Sequence, residues 1–192
     1  MSEPLNQPIK DCLIDLVGWL SDSSIPYSTI GGVAVSLMAA PRFTRDIDAV
    51  IWIDRDQWEN FIEQAISRGF LPRNSDPIDF ARQYRLFLLT HRATGVNVDI
   101  SLGALPFESE MIARSKLLEI ETLKINIPTP EDLIIMKLIA GRQQDLADVE
   151  SIARLHPALD LTRIEYWLDQ FSAALEMPEI SERLNLLKGA GV

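Results

Sequence analysis

The sequence predicts an α/β (α+β) domain with a small mixed β-sheet, flanking helices and a helical C-terminal part. Up to residue 128, short strand-like apolar runs are interspersed with helical patterns. From Thr129 onward the patterns are helical only. A chain of 192 residues with 47% apolar residues can bury a substantial core. We therefore expect a core over residues 1–128 and a helical region over residues 129–192 that packs on it.

Composition and charge exclude several classes. The start, MSEPLNQPIKDC, lacks the pattern of a signal peptide, and no apolar run approaches the ~20 residues of a membrane span. The single cysteine, Cys12, cannot form an internal disulfide, and it lies in an apolar helix pattern typical of a core residue. These features predict a cytoplasmic protein.

The formal net charge of −10 argues against extended binding to nucleic acid, which needs a broad basic surface. A small nucleotide remains compatible, because metal ions and a few local cations can balance its charge. Binding of a structured RNA end by a local basic patch is also compatible with this charge.

The first elements are a helix over Ile9–Leu20 and, after a loop over Ser21–Pro26, the stretch YSTIGGVAVSLMAAPRFTRDIDAVIWI. That stretch predicts a strand ending in Gly31-Gly32, a helix over Val33–Ala40, a basic turn and a strand opening with Asp46-Ile47-Asp48. Residues two apart in a strand share a face, so Asp46 and Asp48 point together. Because two adjacent buried carboxylates are costly unless a cation lies between them, the pair is a candidate metal site.

The Gly31-Gly32 turn precedes a helix whose free N–H groups and dipole can bind phosphate. Glycine also lets the backbone approach a ligand closely. Taken separately, a Gly-Gly pair is common at tight turns, and an aspartate before a strand often caps one. The two features in this order, with arginines between them, favour a nucleotide site.

The middle of the chain predicts a helix over Arg55–Arg68 ended by Gly69, a loop over Leu71–Phe80, and a hairpin formed by YRLFLLTH and GVNVDISL. In the second hairpin strand, Asp99 shares a face with Asn97 and Ser101. If this strand lies beside the Asp46 strand, Asp99 completes a site for two cations, which lie ~3.5–4 Å apart in such sites. The alternative is that this face is the solvated side of an edge strand.

The last third predicts a helix over Pro106–Ser115, a hairpin of LLEI and LKINI about Glu121-Thr122, and a helix starting at Thr129-Pro130. Lys137 lies in that apolar helix, where a lysine either extends to the surface or has an anionic partner. In the next helix Asp145 lies beside the apolar stripe, with Asp148 at its edge. Two further helices are predicted over Leu161–Leu175 and Ile180–Leu187.

The motif GG followed by TRDID resembles the nucleotidyltransferase superfamily that includes DNA polymerase β. It is most similar to the branch that contains the nucleotidyltransferase toxins of abortive-infection toxin–antitoxin systems and their uncharacterised relatives. Gly32 stands where the more familiar motif has serine, and Ser36 can take over a hydroxyl contact to phosphate. VDI around Asp99 matches the third carboxylate of the superfamily.

The segment TPEDLIIMKLIAGRQQDLADVESI extends this resemblance. It implies that Lys137 approaches the triphosphate or active site and that Asp145 orients nearby groups. The alternative is a buried Lys137–Asp145 ion pair that only fastens the helical part to the sheet, and the two are not exclusive.

The predicted activity is therefore transfer of a nucleoside monophosphate from an NTP to an acceptor, with two Mg²⁺ ions held by Asp46, Asp48 and Asp99. Gly31, Gly32 and Ser36 would cradle the phosphates, while Arg45 or Lys137 offsets charge on pyrophosphate. The acceptor is an RNA end, a protein or a small molecule such as an antibiotic, and the toxin branch implies an antitoxin partner. A module that binds nucleotide without turnover is the alternative. His91 and His156 lack the cysteine partners of a zinc site.

Overall fold

The computed structural model describes residues 5–39, 43–120, 122–185 and 187. Within these residues the strands are β1 Tyr27–Ile30, β2 Asp46–Ile51, β3 Phe70–Pro72, β4 Leu86–His91, β5 Asn97–Leu102, β6 Lys116–Ile120 and β7 Leu123–Ile127. The helices are α1 Gln7–Asp22, α2 Gly31–Met38, α3 Trp58–Ser67, α4 Pro77–Tyr84, α5 Pro106–Arg114, α6 Pro130–Ala140, α7 Gln143–Leu155, α8 Leu161–Leu175 and α9 Glu179–Glu182. A short 3-10 turn over Arg55–Gln57 precedes α3.

The main sheet has five strands in the order β1-β2-β5-β4-β3, and β6 and β7 form a separate hairpin. β2 and β5 are parallel, whereas the other neighbours in the sheet are antiparallel. The predicted mixed sheet is thus confirmed, as is the β4–β5 hairpin. β5 is the central strand, so the alternative that placed Asp99 on an edge strand is wrong.

One side of the sheet, here called the core face, is covered by α1 and α3. Its inward residues include Ile47, Phe87 and Ile100, all fully buried. Aromatic stacking links these layers, with ring centroids 4.7 Å apart for Trp19 and Phe61 and 5.5 Å for Phe61 and Phe87. The first helix, α1, therefore packs on this face of the sheet.

The opposite side, here called the carboxylate face, carries Asp46, Asp48 and Asp99. Over β1 and β2 it is covered by a second apolar cluster that joins Val50 to α2, α5 and the C-terminal helices. Leu86 and Leu88 of β4 stay partly exposed on this face. The carboxylates therefore lie where the helical cover ends. The division of the chain at residue 128 stays a prediction.

The predicted loop over Leu71–Phe80 is wrong. Phe70–Pro72 forms β3 by pairing with β4, and Pro77–Tyr84 forms α4. The Asp76 side chain caps α4 by accepting the N–H of Asp79 at 2.8 Å, and proline occupies the first turn. Both elements are short, and strand pairing rather than local composition determines β3.

Most other boundaries agree with the patterns. α5, α8 and the β6–β7 hairpin are confirmed, although Glu121 lies outside the described residues. Ala40 and the Pro41-Arg42 part of the predicted basic turn also lie outside the described residues. α1 extends to Asp22, beyond its predicted end, and α9 stops at Glu182, short of the predicted Leu187, with position 186 not described.

Cys12 is fully buried in α1, and burial raises the pKa of its thiol to about 12. A thiol that stays protonated is a poor nucleophile, so the prediction of a core cysteine is confirmed. In the described part of the chain, no helix combines the length and apolarity needed to cross a membrane.

Candidate active site

Strand register brings the predicted carboxylates together. On β2 and β5, which run parallel, Asp46 pairs with Asn97 and Asp48 pairs with Asp99. Cross-strand partners share a face, and so do residues two apart along one strand. Asp46, Asp48 and Asp99 therefore lie on the same face of two neighbouring strands, as the sequence predicted on condition that these strands adjoin.

Gly31 follows β1 beside Asp48, because the preceding residue, Ile30, is the cross-strand partner of Asp48. Gly31 has φ +64°, which favours glycine. A Cβ atom at this position would lie 2.8 Å from Asp48 Cγ and 2.9 Å from its Cβ, and closer still to Oδ2. The glycine is thus needed both for its backbone conformation and for the approach of the carboxylate to the start of α2.

Gly31→Ala is expected to displace the Asp48 carboxylate and to destabilise the protein by more than the ~1 kcal/mol cost of a left-handed alanine. The control is Gly95→Ala, since Gly95 has φ +72° and an added methyl group there would meet nothing within 4 Å. Urea denaturation gives the free energy of unfolding of both variants. The difference between their losses measures the contact with Asp48, because both variants carry the same backbone strain. Equal losses in the two variants would contradict the proposed contact.

Asp48 is a partly buried carboxyl whose pKa is raised. Burial raises the pKa of its carboxyl to about 6, with further contributions from the charges of Asp46 and Asp99. Lys137 and Arg142 act in the opposite direction and offset only part of the shift. A carboxyl with a raised pKa beside two further carboxylates is typical of a functional site.

Asp99 is paired with Arg73. An Arg73 Nη2–Asp99 Oδ1 ion pair joins two side chains that are 31% and 32% exposed. Burial nevertheless raises the pKa of the Asp99 carboxyl, and the charge of Asp46 adds to this, against the lowering by Arg73. The third carboxylate thus already has a protein cation as its partner.

Lys137 lies between two carboxylates of α7. Its Nζ is 2.7 Å from Asp145 Oδ1 and 2.9 Å from Asp148 Oδ2, and all three side chains are buried. Arg142, whose side chain is 77% exposed, donates from Nε to Asp145 Oδ2 at 2.6 Å. The predicted Lys137–Asp145 ion pair is confirmed. Since Lys137 and Arg142 also influence the pKa of Asp48, this cluster adjoins the carboxylate face.

The remaining predicted residues differ in accessibility. Gly32 is buried in α2, as is Ser36, which is 3% exposed. Arg45 is exposed, with its guanidinium 5.4 Å from the centroid of the Phe43 ring. A contact of any of these residues with phosphate stays a prediction.

Two residues near the carboxylates had no role in the sequence prediction. Thr44 is 7% exposed and donates to the Asp46 backbone carbonyl at 3.1 Å, which orders the start of β2. Arg73 belongs to the segment that the sequence predicts as a loop. Its position depends on β3, and a three-residue strand leaves little periodic signal.

Carboxylates are the ligands that Mg²⁺ prefers, so the donor chemistry of Asp46, Asp48 and Asp99 fits a divalent cation. Over the described ranges, no group of three or more His, Cys, Asp or Glu side chains is arranged to hold a metal ion. His91 Nε2 lies 3.2 Å from Asp15 Oδ2, while His156 Nε2 lies 3.0 Å from the carbonyl oxygen of Met38. Metal binding by Asp46, Asp48 and Asp99 stays a prediction.

A family model described as "Nucleotidyltransferase of unknown function (DUF6036)" matches residues 19–187. The fold is similar to that of an antigenic nucleotidyltransferase-like protein from Paracoccidioides brasiliensis, with TM-score 0.56, 18% identity and 91% of each chain covered. No curated protein sequence matches.

Two further solved structures share the fold. The antibiotic-resistance factor ANT(2'')-Ia has TM-score 0.59 and 15% identity, with 89% of this chain and 97% of that chain covered. The lincosamide antibiotic adenylyltransferase LnuA, solved with lincomycin bound, has TM-score 0.50 and 16% identity, with 71% and 91% covered. The nucleotidyltransferase fold predicted from the sequence is confirmed.

Proposed function

The chain belongs to the nucleotidyltransferase family DUF6036, and from this premise we propose that it transfers a nucleoside monophosphate from an NTP to an acceptor. The observation that carries the proposal is the pairing of Asp48 with Asp99 across parallel strands, with Asp46 on the same face. Carboxylates that lie together on one face can hold the divalent cations that assist nucleotidyl transfer, the activity in the family description.

In this proposal Asp46 and Asp48 would hold one Mg²⁺, and Asp99 would help to hold a second. When bound, the ions neutralise phosphate charge and stabilise the transition state. Asp99 accepts the proton of the acceptor hydroxyl, whose oxygen then forms a bond to the α-phosphorus as pyrophosphate departs. The increased proton affinity of Asp99 supports this role.

The N–H groups of Gly31 and Gly32 face the phosphates in this proposal, because they open α2 next to Asp48. Ser36 and Arg45 keep their proposed contacts to the triphosphate. Lys137 acts through charge: its Nζ is bound by Asp145 and Asp148, so its field rather than a direct contact favours negative charge near Asp48.

For the acceptor we favour a small molecule with a free hydroxyl group. The net charge of −10 disfavours a long polyanion. LnuA and ANT(2'')-Ia, which share the fold, are described as an antibiotic adenylyltransferase and an antibiotic-resistance factor. An RNA end, a protein acceptor, a toxin role and an antitoxin partner stay predictions from the resemblance. So does the cytoplasmic location.

The direct test is incubation with each α-labelled NTP and Mg²⁺ in the presence of aminoglycosides, lincosamides, total RNA or cell protein. We expect label transfer to one acceptor class, lost in EDTA. Titration calorimetry with a non-hydrolysable NTP and Mg²⁺ tests the non-catalytic alternative. Nucleotide binding without transfer to any class would favour a regulatory module, and absence of binding would contradict both.

A further inference from the structure

Arg73 lies in line with the carboxylates across the sheet. Its N–H donates to the Leu88 carbonyl at 2.9 Å, which extends the β3–β4 pairing by one residue. Leu88 is in turn the cross-strand partner of Asp99, and Asp99 is the partner of Asp48. The backbone thus places Arg73 two strands away from Asp99, and its side chain crosses Leu88 to reach the carboxylate.

Arg73 is the cation that neutralises Asp99. Among the ion pairs of the described residues, Asp99 has Arg73 as its partner, whereas Lys137 and Arg142 are bound by the carboxylates of α7. The pair occupies Asp99 Oδ1, one of the two oxygens through which this carboxylate can bind a metal ion. An arginine and a second cation therefore compete for the same carboxylate.

The arginine side is free to move. Within the described ranges, Asp99 provides the ion pair and the side-chain hydrogen bond of the Arg73 guanidinium. The segment that carries Arg73 continues as bends before Asp76 caps α4. Because 31% of its side chain is exposed, Arg73 can leave Asp99 without breaking a second ion pair or side-chain hydrogen bond seen among the described residues.

We infer that Arg73 is an internal counter-ion for Asp99, which the second cation must displace. This rests on the proposed function. A free cation brings only water ligands and competes poorly with the arginine, whereas a cation bound to a triphosphate brings additional negative charge that can receive the released guanidinium. Arg73 thus keeps the second position closed until the nucleotide arrives. Its role is to position Asp99, and it takes no part in the chemical step.

The test is a titration of the nucleotide-free protein with Mn²⁺, in which electron paramagnetic resonance measures the concentration of the free ion at each step. We expect one site in the wild-type protein, dependent on Asp48, and a much weaker second. Arg73→Met should increase the affinity of the second site for Mn²⁺ by about tenfold. Residues that are hydrogen-bonded to a metal ligand change metal affinity on this scale. Arg73→Met/Asp99→Asn should lose this gain.

The matched control is Arg68→Met, which removes the same charge from an exposed pair with Asp22, 3.2 Å apart. Near-ultraviolet circular dichroism and a thermal melt verify that each variant is folded. If Arg73→Met binds the second Mn²⁺ no tighter than the wild type, or more weakly, the inference is overturned while the Asp48 site stands. Absence of any Asp48-dependent site would instead overturn the proposed function.

Discussion

Asp48→Asn should abolish nucleotidyl transfer and at the same time make the metal-free protein more stable. The loss of activity follows from the removal of a charged ligand for the first cation. Metal stabilisation of the transition state is worth several kcal/mol, so we expect a decrease in kcat/KM of about 10³-fold or more. The gain in stability follows from the pKa of the same carboxyl.

Burial and the charges of Asp46 and Asp99 raise the pKa of Asp48 from 3.8 to about 6. The folded state therefore binds this proton more tightly than the unfolded state, and stability falls as the pH rises from about 4 to 6. Above pH 6 the ionised carboxylate lowers the free energy of unfolding by about 1–3 kcal/mol. The upper limit corresponds to the full shift of the Asp48 pKa. Asparagine removes this cost, which corresponds to a higher Tm by about 2–8 °C.

Thermal melts in EDTA at pH 8 and pH 4 measure this effect, because the difference between variant and wild type should disappear at pH 4. Asp56→Asn is the control, since it removes one negative charge from an exposed position. Added Mn²⁺ should stabilise the wild type and leave Asp48→Asn unchanged. A variant that is inactive but less stable than the wild type at pH 8 would contradict this account.

Lys137→Met should destabilise the protein by about 3–5 kcal/mol, the cost of leaving a buried charge without its partner. The variant leaves Asp145 and Asp148 buried, with the exposed Arg142 as the remaining ion-pair partner of Asp145. Burial disfavours the Asp145 carboxylate, but hydrogen bonds from Arg142 and Lys137 outweigh it and lower its pKa. Without Lys137 this carboxylate should hold a proton more readily.

Urea denaturation at pH 7 and pH 4 tests this prediction. The loss should be smaller at pH 4, close to the ordinary aspartate pKa of about 3.9, because an Asp145 carboxylate that has lost Lys137 protonates more readily there. Lys124→Met is the matched control, because Lys124 forms an exposed pair with Glu119 at 3.0 Å and should cost less than about 1 kcal/mol. A loss for Lys137→Met as small as that of Lys124→Met would show that the buried pair has no role in fastening α7.

The central part of the fold could be predicted from the sequence because its signals are local. Alternating apolar residues define β5, Thr129-Pro130 marks the start of α6, and Gly31 marks the turn after β1. The placement of Asp99 beside Asp48 was conditional, since no local pattern specifies which strands adjoin. The resemblance to the superfamily supplied that information.

The rest depends on contacts between distant residues. Asp76-Pro77 is the same type of helix start as Thr129-Pro130, and it could have identified α4. The Arg73–Asp99 pair could not be found in this way, because it requires the register of β3 against β4 and of β4 against β5. Asp145 was correctly predicted to face protein. Its second ion-pair partner, Arg142, was not predicted, because Arg142 precedes α7 and is not part of the apolar stripe of that helix.

The parallel pairing of β2 with β5 has a consequence for biosynthesis. Roughly fifty residues separate Asp48 from Asp99, and at about 5–20 residues per second a ribosome needs several seconds to make them. The antiparallel pairs β1–β2 and β4–β5 join strands that are closer in sequence, but neither pair contains both carboxylates. A nascent chain therefore passes through most of its translation before Asp48 and Asp99 can lie on the same face of two neighbouring strands, because they meet only after the central strand has been inserted.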